Sequence, residues 1–186
     1  MIDEHWVPAP TERLRFRRFT MDDVDALVDL DSDPEVMRYL TGGVPTPRDR
    51  VEEKTRGHIA EYERFTGLGR WMAEFREGGA FVGGFALSPT GEGEFGLGYR
   101  LRREHWGSGL ATEGTRALVD IAFMAFGAQR VWAETMAVNN RSRRVMEKSG
   151  LRFERGFHLE WDDPIDGVEH GEVEYALTRA EWLGGK

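Results

Sequence analysis

The stretch from Leu97 to Thr112 constrains this chain more than any other part of it. Leu97-Gly98-Tyr99-Arg100-Leu101 is apolar and aromatic at strand length, and the polar turn Arg102 to His105 follows it. Beyond Thr112, residues Leu118, Ile121, Ala122 and Ala125 recur at the spacing of one helical face. The order is strand, short turn, helix start. Gly107 and Gly109 fall where the N–H groups of a helix's first turn point outward, unpaired and at the positive end of the dipole. Without side chains there, an anion can approach the main chain closely, so the stretch reads as a phosphate cradle. A glycine-rich helix start with no ligand is the plain alternative. A P-loop is excluded, because no Lys follows Gly109. A dinucleotide fingerprint fits poorly: Thr112 stands where a third Gly or Ala belongs, and five polar or bulky residues separate Leu101 from Gly107.

Length and charge narrow what such a loop serves. With 186 residues the chain reads as one domain over 1–186, Met1 to Pro10 being a loose terminus. No apolar run reaches membrane-spanning length, and no charged-then-apolar leader opens the chain. Cysteine is absent, which excludes disulfides, cysteine-ligated zinc, iron–sulfur clusters and a cysteine nucleophile, and points to the cytoplasm. No metal site is expected. A net charge of −8 argues against a nucleic-acid footprint and is compatible with a cationic substrate.

The rest of the chain places the loop in an α+β frame. Leu14 to Phe19 alternates as a first strand, and Thr20 with Asp23 forms a cap that opens a helix through Leu30. Asp33 to Leu40 starts a second short helical piece. Thr46-Pro47 with Asp49 is a further cap, with Pro at the first helical position of a helix running to about Phe65. Arg70 to Phe75 and Ala80 to Leu87 form a hairpin across Gly78-Gly79, and Gly91 to Gly93 turns into the strand ending at Leu101. Arg130 to Thr135 is a strand, and Asn139 caps a helix through Met146 to Lys148 that Gly150 ends as a left-handed residue. Leu151 to His158 and Glu172 to Leu177 close as an antiparallel pair across an acidic loop. Strand, two helices, three strands, helix, strand, helix, two strands makes a mixed sheet.

Two motifs carry a resemblance. Trp106-Gly107-Ser108-Gly109-Leu110-Ala111 resembles the Q/R-x-x-G-x-G/A pyrophosphate loop of the GNAT N-acetyltransferases, Trp106 replacing Gln or Arg. That departure bears on a side-chain contact; the backbone cradle stands, since any residue has an N–H. Asn139-Asn140-Arg141-Ser142 followed by Lys148-Ser149-Gly150-Leu151 resembles the N-x-x-S…K-x-G-F segment of the RimJ/RimL branch, Leu151 standing for Phe. Asp33 to Leu40 and the ending Tyr175 to Trp182 are similar too, so the likeness runs from about Thr11 to Trp182. It implies a mostly antiparallel sheet of six to seven strands, flanked by about four helices, with a splay between two parallel strands. A bulge would cause that splay, and Gly96 and Gly98 suit one.

The resemblance also implies a chemistry: acetyl transfer from acetyl-CoA to a primary amine, of a protein N-terminus or a small molecule, by direct attack through a ternary complex. A non-catalytic acyl-CoA-binding module on the same fold is the alternative. The pantetheine arm would bond to free backbone groups of Tyr99, Arg100 and Leu101, with the pyrophosphate on Gly107, Ser108, Gly109, Leu110, Ala111 and Thr112. Trp106 begins that loop, and Arg102 and Arg103 are candidate phosphate partners. A main-chain N–H near Tyr99 would polarise the thioester carbonyl. Asn139 would bond pantetheine, and Ser142 would give the thiolate its proton, because Met146 occupies the place where many relatives carry a Tyr that donates. Glu94, Glu134 and His105 are candidate bases, Glu94 being preferred and His105 read as a solvent-facing turn residue. The two helices between Met21 and Phe65, the Tyr39 to Val44 turn and the Asp162 to Glu169 loop would wall the acceptor site. Tyr39, Trp71 and Trp161 are candidate aromatic contacts, and Glu160, Asp162, Asp163, Asp166 and Glu169 candidate attractors of an amine. The branch often dimerises, so a homodimer is a further expectation.

Overall fold

The computed structural model describes residues 6–185. After β1 (Leu14–Arg18) come α1 (Val24–Ser32), α2 (Pro34–Thr41) and α3 (Arg48–Arg64), then β2 (Gly69–Phe75), β3 (Phe81–Gly91) and β4 (Glu94–Leu101). α4 (Leu110–Ala125), β5 (Arg130–Met136), α5 (Asn140–Lys148), β6 (Arg152–Phe157), β7 (Glu172–Thr178) and α6 (Arg179–Gly184) complete the described chain. The strands form one seven-stranded sheet in the order β1-β2-β3-β4-β5-β7-β6. Among the described residues, only β4 and β5 run parallel.

Alternation along the strands serves two cores, one on each face. On β2, Trp71 and Ala73 join Phe85, Leu97, Val131 and the α4 residues Leu118, Ala122 and Phe123 in one cluster. Met72, between them in sequence, packs with Leu27, Leu30, Met37, Val51 and Tyr62 of α1 to α3. The sheet is thus covered by α1 to α3 on one face and by α4 and α5 on the other.

The expected α+β frame is present, with local differences. Among the described residues, six α-helices stand where about four were expected, because two short ones are individually capped. Asp33 accepts from the Glu35 and Val36 N–H groups at the start of α2, and Thr178 and Glu181 form a reciprocal cap on α6. Thr20 and Asp23 form their box, but Thr46 does not cap α3. Pro47 itself is the N-cap, with extended backbone, and the Thr46 hydroxyl is buried without a partner. The first five residues of the expected loose terminus lie outside the described residues. Trp6 is anchored, edge-on to Trp71 at 6.3 Å and to Phe126 at 5.7 Å, because an indole that size is more stable buried.

β4 and β5 do splay. Their ladder holds only Glu94↔Arg130, Phe95↔Val131 and Gly96↔Trp132, after which β4 continues to Leu101 and β5 to Met136 without pairing each other. The expected bulge at Gly96 and Gly98 is absent: β4 keeps unbroken register with β3 from Phe95 to Leu101, and the shift lies earlier, at Pro89/Gly91. β5 is likewise paired with β7 along its whole length. Each strand follows its outer neighbour, and twist separates the inner edges. Gly96 instead makes room for Trp132, whose ring carbon Cζ2 would lie 3.4 Å from an added Cβ.

α4 is held close to the sheet at Gly114, where an added Cβ would run into the Phe85 ring, itself edge-on to Phe16. Gly114→Ala is expected to destabilise the fold by roughly 1–3 kcal/mol in urea unfolding with an unchanged slope. Wild-type stability for that variant would mean that α4 does not press on Phe85.

Candidate functional site

Between β4 and α4, Gly107, Ser108 and Gly109 are exposed, and both glycines take left-handed backbone, φ 75° and 85°. Gly109 is the N-cap of α4, whose first ladder bond runs from Glu113 N–H to Gly109 O at 3.0 Å. The N–H groups of Leu110, Ala111 and Thr112 therefore precede the helix's own ladder. A Cβ on Gly107 would project into open space, so the ground above the loop is clear. That geometry fits a diphosphate bound by main-chain donors.

The loop is tied to the chain's other end. Arg13 donates from Nη1 to Ser108 O at 2.9 Å and from Nε to Glu113 Oε2 at 2.7 Å. Glu113 Oε1 also accepts from the Arg13 N–H and the Thr11 hydroxyl. Burial pushes the Glu113 carboxyl up, but those bonds from Thr11 and Arg13 outweigh it and hold it below the usual range. This network was missed in the sequence, and nothing there signals it: Arg13 and Ser108 are 95 positions apart.

Trp106 donates from its indole Nε1 to Leu101 O at 2.9 Å, so the Leu101 carbonyl, expected free for pantetheine, is engaged. The Arg141 guanidinium, from α5, lies over the Trp106 ring at 5.0 Å. Arg102, a candidate phosphate partner, pairs with Asp29 at 2.6 Å, while its N–H bonds Val82 O. The Arg103 side chain is exposed. Arg100 is turned to Asp31 at 2.9 Å, and burial lowers its pKa against the attraction of that carboxylate. His105 is not the solvent-facing residue expected: its ring stands edge-on to Phe75 at 5.1 Å, and Nε2 is buried.

Across the splay, the Tyr99 hydroxyl lies 2.8 Å from Ser142 Oγ and 3.0 Å from Ser142 O. The phenol thus joins β4 to the first turn of α5. Burial pushes its pKa up to about 12, against the opposing Ser142 bond, so it stays protonated. Tyr99 was read for its main chain, and the position of its side chain is what the sequence left out. Asn139 caps α5, its Oδ1 accepting from Ser142 N–H at 3.2 Å and its Nδ2 donating to Thr135 Oγ1 at 3.0 Å. Met146 is buried in the core beneath.

The opposite face of the sheet carries an open cavity of about 390 Å³, lined by Glu94, Arg130, Trp132, Glu134 and Phe157 among others. Glu94 approaches Arg130 at 3.5 Å, at the end where the strands are still paired. Glu134 lies two residues beyond the last pair, directly opposite Glu174 on β7. Burial first, then the charges of Glu174 and Glu172, push the Glu134 carboxyl up, with Arg155 only partly opposing. Glu174 is neutralised by Arg155 at 2.7 Å and by Arg130. Of the expected aromatic contacts, Trp71 is core, Trp161 donates to Glu172 at 2.9 Å, and Tyr39 lies under the Arg38 guanidinium. An added Cβ on Gly42 would lie 2.9 Å from Ile165 Cγ2, so the turn after α2 meets the acidic loop there. Glu160, Asp162, Asp163, Asp166 and Glu169 of that loop are exposed.

Residues 13–152 match the family described as acetyltransferase (GNAT) domain. The chain is 36% identical over 178 residues to the FsC-acetyl coenzyme A-N(2)-transacetylase of Aspergillus fumigatus, covering 90% of this chain and 71% of that one. Spermidine N-acetyltransferase from Vibrio cholerae, solved with CoA and spermine, superposes with a TM-score of 0.75 at 18% identity, over 91% of this chain and 98% of that one. RimL, a ribosomal L7/L12 α-N-protein acetyltransferase solved with coenzyme A, superposes with 0.74 at 18%, over 91% and 96%.

Arg13→Met should free the Ser108 carbonyl without disturbing the core. Amide exchange across 107–112 is expected to rise about tenfold, the loss of one charged hydrogen bond. Unchanged protection there would show that the loop holds its shape alone.

Proposed function

From a chain that belongs to the GNAT acetyltransferase family, we infer that acetyl-CoA delivers its acetyl group directly to a primary amine, both substrates being held together in a ternary complex. The observation that carries this reading is the unpaired run of β4 and β5, beside which the Tyr99–Ser142 contact ties β4 to α5. A free strand edge offers the backbone donors and acceptors that an amide-containing arm needs, and the glycine loop at its end suits a diphosphate. The acceptor is a small-molecule amine or a protein N-terminus. A relative 36% identical over 178 residues is named an N(2)-transacetylase, which supports an amine nitrogen as the acceptor.

Each part of the site then has a task. A main-chain N–H near Tyr99 polarises the thioester carbonyl where negative charge grows, worth on the order of 3 kcal/mol. Asn139 bonds the pantetheine arm with the amide hydrogen its cap leaves over. The amine arrives mostly as ammonium and must lose a proton. Glu134 accepts it, directly or through water, because it faces the cavity beyond the last paired residues and its affinity for protons is raised. Glu94 lies in the same cavity, turned to Arg130. As the C–N bond forms and the C–S bond breaks, Ser142 gives its hydroxyl proton to the thiolate, and Tyr99 stands ready to replace it.

Steady thiol release from acetyl-CoA with a panel of small amines and N-terminal peptides tests the activity; no turnover with any acceptor, coenzyme binding intact, would favour a binding module instead. Ser142→Ala should lower kcat about 100-fold while leaving coenzyme affinity intact, and Tyr99→Phe should lower it about tenfold. Only the carboxylate form of Glu134 accepts a proton, so activity should rise with pH through a pKa above the ordinary glutamate value. Glu134→Gln should abolish that acid limb and Glu94→Gln preserve it; the reverse result would move the base to Glu94.

A further inference from the structure

We propose that Arg141, seated on Trp106, is the side-chain cation that holds the diphosphate of the coenzyme over the glycine loop. The assignment rests on the coenzyme reading above and adds a residue that the loop's own sequence does not supply.

Four observations converge on Arg141. It is the second residue of α5, inside the first turn, where the helix dipole disfavours positive charge. The first turn of α5 carries no acidic residue that would offset it. Its guanidinium lies 5.0 Å from the Trp106 ring centroid, a contact that fixes where the charge stands. Trp106 in turn is locked by its indole bond to Leu101 O and runs directly into Gly107.

Several of the protein's other arginines are paired with carboxylates, although Arg18, Arg38 and Arg64 also lie over aromatic rings. Arg13, Arg15, Arg17, Arg100, Arg102, Arg130 and Arg155 each meet a carboxylate within 3 Å. Arg141 has an aromatic ring and no carboxylate among the described residues, in a chain whose net charge is −8. Arg141 is exposed, so water solvates its charge in the free protein, and a bound anion would meet a cation already placed beside the loop without displacing a carboxylate. The exposed amides after Trp106 and the first turns of α4 and α5 add their partial positive charges at the same place. A planar guanidinium stacked on an indole keeps its N–H edge free for phosphate oxygens, so the ring orients the group without consuming its donors. The ligand chemistry is a phosphate ester, and its placement next to Gly107 selects the diphosphate over a more distant phosphate.

Calorimetric titration with coenzyme A and with 3′-dephospho-coenzyme A separates the two phosphate sources. For Arg141→Ala the dissociation constants of both ligands should rise about tenfold, with a shallower dependence on salt concentration. Arg141→Lys should recover part of the loss, and Trp106→Phe, which keeps a ring but not the Leu101 bond, should show an intermediate loss. Circular dichroism verifies that each variant is folded. Unchanged affinity in Arg141→Ala would sink the proposal. So would a loss confined to coenzyme A with the dephospho form unaffected, since the charge would then face the 3′-phosphate. Failure of the wild-type protein to take up either ligand would remove the coenzyme reading itself, and this assignment with it.

Discussion

The structure turns on hydrogen bonds that two neighbouring strands do not make. β4 is fully committed to β3 through Leu101, and β5 to β7 through Met136, yet the two stop pairing with each other after Gly96 and Trp132. Unpaired backbone groups inside a protein are costly, so such an edge persists only where a ligand or water satisfies it. The two complete outer ladders supply the stiffness that holds the edge open. Tyr99 adds a strut, tying the diverging end of β4 to α5 without closing the gap.

Electrostatics divides the molecule along the same line. On the face of β5, β7 and β6, Arg130 meets Glu94, Glu154 and Glu174, and Arg155 meets Glu174 again, so charge is largely compensated there. Glu134 is set among these carboxylates and has a raised proton affinity, whereas at Glu174 burial is outweighed by Arg155 and Arg130, which hold the carboxyl below its usual range. Toward the glycine loop the balance reverses. Glu113 is absorbed by Thr11 and Arg13, so its charge is taken up away from the exposed amides of the loop and the Arg141 guanidinium on Trp106.

The frame was legible in the sequence because it depends on local signals, and the splay followed from the family resemblance that the motifs carry. Strand length before the turn, glycines at a helix start and Asn139 before a helix are each readable over a few residues. What was not legible depends on side chains meeting over long separations. The tether of the loop to Arg13 joins residues 95 positions apart, and the Tyr99–Ser142 contact joins residues 43 apart. The expected bulge at Gly96 failed for a related reason. A glycine in a strand signals close approach as well as a kink, and here the approaching group is the Trp132 ring, on another strand. His105 was misjudged in the same way, because Phe75, which covers it, lies on β2.

The two proton-handling groups of the proposed reaction end on opposite faces of the sheet as a consequence of strand geometry. Side chains alternate along a strand, so Tyr99 shares a face with Phe95 and Leu97 in the α4-side core, while Glu134 shares one with Arg130 and Trp132 along the cavity. In a continuous sheet those faces would be sealed from each other by backbone hydrogen bonds. The ladder is missing beyond Gly96, and in the proposed reaction that gap would be the passage through which an acceptor on one side meets a thioester on the other. The same unpaired edge therefore serves as binding surface and as doorway, and a change that zipped β4 to β5 would remove both at once.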